Sequence, residues 1–286
     1  MLIPPPRRSP DTTALTGRAR ELSRELPAHV VIAERAAAWV WGVDVLPPGA
    51  REATWPIEVA HPPDLPPPGL PHCRPRPAEL PADDIAEHEG VRLTAPERTA
   101  LDCARWLPRL EAVAALDQFL RAGLDPTALT RRVRRLTGEP HARRLREILR
   151  LSDAGAVLPG ESWTRVHIMD AGLPRPATQI PVMAADRPRF FLDMGYEQYR
   201  TAVEYDGEAF HTGPACRNRD TARRTWIRTH HGWEIIVVTK EDILFHPAPF
   251  LEALATTLMH RGWTPTPSQL GRLELKLARL RRRRPP

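Results

Sequence analysis

The sequence predicts an α/β chain, α+β overall: a helix-rich α+β domain first, then a core in the order helix, three strands, helix, strand, helix. Three observations carry this reading. At 286 residues the chain is long enough for two domains that each bury a core. In the second half three strand-length apolar runs, QIPVMAA, RFFLDMGY and YRTAVEYD, are separated by short polar or Pro-containing links, the pattern of an antiparallel meander. The first half instead alternates short apolar stubs with capped helical stretches rich in alanine and leucine.

Taken in order, residues 1–17 are rich in Pro and Arg without apolar periodicity and are expected to form a flexible arm. A helical pattern starts at Arg18. HVVIAERAAAWVWGV then gives a strand stub and an alanine-rich helix whose Trp39 and Trp41 cannot both face water without cost. WPIEVA is extended. From His61 to Pro81 proline is so dense that only turns, extended chain and edge strands are open to it, because proline lacks a backbone donor. A short strand at Val91–Leu93 leads into a helix whose start is marked by Thr94, Pro96 and Glu97, and Pro108 breaks the helical stretch in two. EAVAALDQFLRAG ends at Gly123 in the usual C-terminal position, and LDPTALTRRVRRL and EPHARRLREILRLS are further helices.

SDAGAVLPG reads as the junction, so the expected domains are 18–151 and 152–265. The second opens with the helix GESWTRVHIMDAGLP and passes through the three strands. A charged helix, CRNRDTARRTWIRTHHG, comes next with Asp220 four residues before Arg224, and WEIIVVTKEDIL is a buried strand running into a helix start. Residues 266–286, ending RRRRPP, are expected to be a disordered basic tail.

Lys plus Arg exceeds Asp plus Glu by 41 to 35, with a pI of about 9.9, which favours an acidic partner such as nucleic acid. Only Lys240 and Lys276 are lysine. Arginine grips phosphate bidentately, although a GC-rich coding sequence gives the same composition. Between Arg131 and Arg150 eight arginines face Glu139 and Glu147, so Arg131 and Arg135 are candidates for phosphate contact; a solvated face with arginine stems over apolar surface fits as well. Cys73, Cys103 and Cys216 are far apart and odd in number, which indicates neither a disulfide framework nor a thiolate zinc site and fits a cytoplasmic protein. MLIPPPRRSP lacks the apolar stretch of a signal peptide, and no run approaches the roughly 18 apolar residues of a membrane span.

The chemistry-bearing stretch is FFLDMGYEQYRTAVEYDGEAFH. Asp193 closes one apolar run; Glu204 and Asp206, two apart and so on one face, close the next; Gly207 allows a sharp exit toward His211. Three carboxylates and an imidazole are the donors a divalent metal takes, and His211 suits general acid or base work. Solvated acids at a sheet edge and an ordinary loop histidine give the same pattern. Glu161, in the first turn of its helix, suits either a metal or the helix dipole.

LDMGY, VEYDGEAFH, RNRDTARR and HGWEIIVVTKEDI, together with Glu161, resemble the restriction-endonuclease-like PD-(D/E)XK superfamily over about residues 160–250. Within it they are most like very-short-patch-repair-type endonucleases and a related bacterial domain of unknown function. The resemblance implies a restriction-endonuclease-like αβββαβ core and cleavage of nucleic acid with Mg²⁺ or Mn²⁺. Asp193 would be its metal-binding aspartate, Glu204 its second acid, His211 the histidine that takes part in chemistry, and Glu161 a further metal ligand. Arg219, Arg223 and Arg224, on the charged helix beside the site, would support it or contact phosphate. Where the pattern has lysine this chain has Asp206, which removes a group that normally positions or deprotonates the attacking water.

In the first half ERAAAWVWGVDVLPP and EGVRLTAPERTALDCARWL, above all GVRLTAPERTALDCAR with Pro96, Arg98, Thr99 and Asp102, resemble the type IV abortive-infection antitoxins (AbiEi-like). In that family such a domain comes after a DNA-binding winged helix; only about 25 residues precede the matching region here. Arg98 and Asp102, four apart, also suit a simple helix-surface pair. Two functions are therefore expected. One is a metal-dependent endonuclease hydrolysing phosphodiester bonds. The other is an inactive, antitoxin-like DNA-binding regulator on a degenerate nuclease fold, with DNA and a toxin as its partners. The regulator is favoured if the acids are paired to arginines instead of facing an open space.

Overall fold

Helix α1 spans Thr13–Glu25, with Leu15 fully buried, so residues 13–17, expected to belong to a flexible arm, are helical, and the rest of that expected arm lies outside the described residues. The structure, a computed structural model, describes residues 13–47, 50–136, 138, 141–207 and 214–282. It divides into two units, Met1–Ala154 and Gly155–Pro286.

The first unit is built on five strands, β1 (Val31–Ile32), β2 (Ile57–His61), β3 (Cys73–Pro77), β4 (Ile85–His88) and β5 (Val91–Thr94), in the order β3-β2-β1-β5-β4. The proline-bearing β3, CRPRP, is an edge strand, where its missing donors have no ladder to break on the outer side. Helix α2 (Glu34–Val40) and α1 cover this sheet, burying Leu15, Ala36, Trp39, Ile57, Val59 and Leu93 together.

The N-cap of α2 is Ala33, whose methyl side chain has no acceptor to offer the orphan donors. Glu58, reaching from β2, accepts from the Ala36 amide at 3.0 Å and from Trp55 Nε1 at 2.9 Å and takes that part. Its carboxyl is buried, and burial pushes it up to about 7.

Helices α3 (Pro96–Trp106), α4 (Arg109–Arg121), α5 (Pro126–Arg135) and α6 (Ala142–Leu151) pack on one another beyond the sheet. Pro96 opens α3, Pro108 separates it from α4, and Asp125 caps α5 by accepting from the Thr127 and Ala128 amides at 2.8 and 3.1 Å. Arg98 is more than a helix-surface partner of Asp102. It bonds Asp102 at 2.8 Å, Asp84 at 2.7 Å and the Glu79 carbonyl at 2.8 Å, while Arg132 of α5 bonds Asp84 and Arg105 bonds Asp102 at 3.1 Å. These two aspartates are almost fully buried, so the network ties α3 and α5 to the turn before β4.

The second unit keeps the expected order. Helix α7 (Pro159–Asp170) precedes β6 (Ala177–Ala184), β7 (Arg187–Tyr196) and β8 (Thr201–Asp206); α8 (Pro214–His231) crosses to β9 (Glu234–Thr239), and α9 (Lys240–Phe245) and α10 (Pro247–His260) come next. The sheet runs β6-β7-β8-β9, antiparallel in its first three strands and parallel between β8 and β9. One face packs on α7 and α10 through Met194, Tyr196, Val203, Val238, Leu251 and Leu254; the other packs on α8 through Leu192, Ala202, Ile227, Trp233 and Ile235.

The expected disordered tail is instead helix α11 (Pro267–Arg282) through Arg282. Thr266 and Gln269 form a reciprocal cap at its start, Leu273 is buried, and Leu277 and Leu280 pack on the α7–α10 core. These leucines recur at helical spacing, so the run of arginines at the end hid an amphipathic face. Among the described residues no helix is long and apolar enough to cross a membrane.

Candidate functional site

The acids of the second unit lie where β7 and β8 part. Their ladder runs Tyr196↔Thr201, Gly195↔Ala202, Met194↔Val203, and the same register carried one step on sets Asp193 against Glu204. Regular pairing ends at that step. The Asp193 carboxylate accepts the Tyr205 amide at 2.9 Å, and the Phe191 carbonyl accepts from Arg223 at 2.8 Å, so side chains complete the bonding that the separated strands give up.

Asp193 does not end its strand, as the apolar run implied; β7 continues to Tyr196. What changes at Asp193 is facing. Leu192 packs on the α8 side and Met194, two residues on, packs on the α7 side, although residues two apart in a regular strand share a face. On β6 the ladder places Gln179, with φ of 50°, between the pairs Thr178↔Met194 and Ile180↔Leu192, opposite Asp193. A left-handed non-glycine residue inside a strand stores on the order of 1 kcal/mol or more of strain.

Glu204 is buried at 3% exposure and both its oxygens are held. Arg223 of α8 grips it as a fork, Nη1 to Oε2 at 3.0 Å and Nη2 to Oε1 at 2.8 Å, and Arg224 Nε adds a third bond to Oε2 at 3.0 Å. Arg224 also reaches Asp206 at 3.4 Å. Among the described residues Asp193 is gripped by no such fork, and its bond in this cluster is the one from Tyr205. Its burial, and then the charge of Glu204 beside it, push its carboxyl up from the ordinary 3.8 to about 6.

Of the residues singled out in the sequence, Asp193, Glu204, Asp206, Arg223 and Arg224 come together. Glu161 accepts the Val157 and Leu158 amides at 2.9 and 3.2 Å and so closes the start of its own helix. That end of α7 nevertheless meets the cluster's strand. A Cβ on Gly160 would sit 2.2 Å from the Tyr205 ring, so only glycine lets α7 approach β8 this closely. Arg219 is exposed on α8, His211 lies outside the described residues, and Arg131 and Arg135 are exposed on α5 in the first unit.

Among the described residues, the donors as arranged do not make a cradle for Mg²⁺ or Mn²⁺. Among the described residues no three His, Cys, Asp or Glu side chains gather around a common point, and the Glu204 oxygens face guanidinium groups. What the arrangement does chemically is hold two arginines in fixed positions at the opening between two strands, beside a carboxyl that burial pushes up to about 6.

Fold and site together define the class as mixed α/β proteins with two sheets, one per unit. Residues 29–151 match the AbiEi antitoxin C-terminal domain, so the first unit carries an AbiEi-like domain. Two uncharacterized proteins of Mycobacterium tuberculosis, from strains CDC 1551 / Oshkosh and ATCC 25618 / H37Rv, are each 31% identical to the chain over 174 residues, or 59% of this chain and 62% of theirs. The matching region thus spans less than two thirds of the curated relatives. No solved structure matches.

Proposed function

We propose that the chain is a nucleic-acid-binding regulator of the antitoxin kind, whose second unit uses a nuclease-type αβββαβ framework to bind and not to cut. The arginine clamp on Glu204 carries this reading. A cation entering there would have to displace two guanidinium charges from a buried carboxylate that they already satisfy. The match of residues 29–151 to an antitoxin domain supports the regulator and a toxin partner. A nucleic acid is the favoured partner because the chain is basic, with Arg131, Arg135, Arg143 and Arg146 exposed along α5 and α6 and in no ion pair among the described residues.

One observation favours a second reading, the metal-dependent endonuclease. Asp193 and Glu204 oppose each other at the parting of β7 and β8, and a carboxyl near 6 suits general acid or base work. For this reading Arg223 and Arg224 must leave Glu204 for the phosphates.

The deciding assay incubates purified protein with supercoiled plasmid and single-stranded DNA in Mg²⁺ or Mn²⁺, beside Asp193→Ala. The regulator binds without nicking in either form. Metal-dependent nicking that Asp193→Ala abolishes would replace it with the endonuclease.

A further inference from the structure

On the α8 face of the second unit, aromatic rings and cations are layered. Phe190 of β7 and Trp226 of α8, both half-buried, meet edge to face at 5.7 Å. The exposed Arg189 guanidinium lies 5.4 Å from the Phe190 ring and 4.6 Å from the Trp226 ring, and Arg223 lies 5.6 Å from Phe190. His230 stacks on Trp226 at 4.8 Å and 22°, and His231 sits 5.0 Å from it. Arg189 makes no ion pair among the described residues.

Resting on the nucleic-acid reading above, we propose that this platform binds unpaired nucleotides, so that the chain's partner there is single-stranded nucleic acid. An unpaired base offers a flat π face to the exposed His230 ring and Arg189 plane that are layered on Trp226, while its phosphates meet Arg189. A duplex hides those base faces inside its stack, and an acidic peptide supplies charge but no planes. The same Arg223 that forks Glu204 also faces Phe190, which joins the platform to the parting of the strands.

The test is fluorescence anisotropy of the full chain with a labelled 12-nucleotide single strand, the same sequence as duplex, and an abasic phosphodiester of equal length, with a glutamate-rich peptide as competitor. The single strand should bind at least about tenfold tighter than the abasic strand, and Trp226→Ala and Arg189→Ala should each weaken it about tenfold. Trp226→Phe should keep most of the affinity and Arg189→Lys should fall between, because lysine keeps the charge and loses the plane. If Trp226→Ala does not fold, Trp226→Phe and the surface variant Arg189→Ala decide the matter. Equal binding of the abasic strand, preference for the duplex, displacement by the peptide at equal concentration, or an unchanged Arg189→Ala overturns the platform. Binding of both DNA forms with variants matching the wild type sinks this inference alone; no binding to any nucleic acid sinks the regulator reading with it.

Discussion

Glu58 shows how one buried carboxyl both builds and taxes a fold. It satisfies the start of α2, yet burial raises it from 4.5 to about 7. An acid raised in the folded state binds protons more tightly there, so its stabilising effect is fullest below 4.5 and is lost as pH rises toward 7. Wild type measured against Glu58→Gln by urea unfolding should therefore gain about 2 kcal/mol between pH 8 and pH 5.5. A pH-independent difference would refute the buried charge. Glu204 is held by partners instead, since Arg223 and Arg224 bond both its oxygens. Removing the fork with Arg223→Ala should cost about 2 kcal/mol at neutral pH, because Arg224 remains and the carboxylate stays buried. Adding Glu204→Gln should recover part of that loss; a double variant as unstable as the sum of the two singles would argue that the pair does not interact.

Two elements depend on approach distances that only the packed structure sets. Gly160 lets α7 rest on Tyr205, and a Cβ on Gly195 of β7 would lie 2.5 Å from the Thr201 carbonyl of β8. A tyrosine ring can shift, whereas strand backbone cannot. Gly195→Ala should therefore destabilise more than Gly160→Ala, with about 1–3 kcal/mol for the latter by thermal unfolding. Helix α11 is the other case. Leu273→Ala should cost about 2–4 kcal/mol, and cutting the chain before Pro267 should lower the melting temperature by exposing Leu251, Leu254 and Leu258 of α10. A truncated chain that melts with the wild type would mean that α11 adds nothing to the core.

At the scale of the molecule, each unit owns its sheet and its cores. Residues 13–154 and 155–282, expressed apart, should each give a cooperative thermal transition; a fragment that stays unfolded would show that it leans on the other. Binding of the full chain to DNA should weaken at least about tenfold from 50 to 200 mM salt, as counterion release from several arginine–phosphate contacts requires. Affinity indifferent to salt would exclude a phosphate-led interface.

Much of the architecture was legible along the chain. Strand-length runs, Pro96, Pro108 and Gly123 mark element ends by local chemistry, and the proline-dense stretch was open only to turns, extended chain and an edge strand. Sequence also picked out Asp193, Glu204 and Asp206, because acids closing apolar runs stand out by pattern, and the resemblance of the charged helix added Arg223 and Arg224. It carried no sign of whom they face. Whether Glu204 meets a cation or a guanidinium, whether Trp226 stacks beside Arg189, and that Asp193 marks a break in facing opposite Gln179 are relations between residues distant in the chain. Local propensity reaches only a turn or two, and partner choice is set by how strands part and helices settle, so the tertiary structure alone decided it.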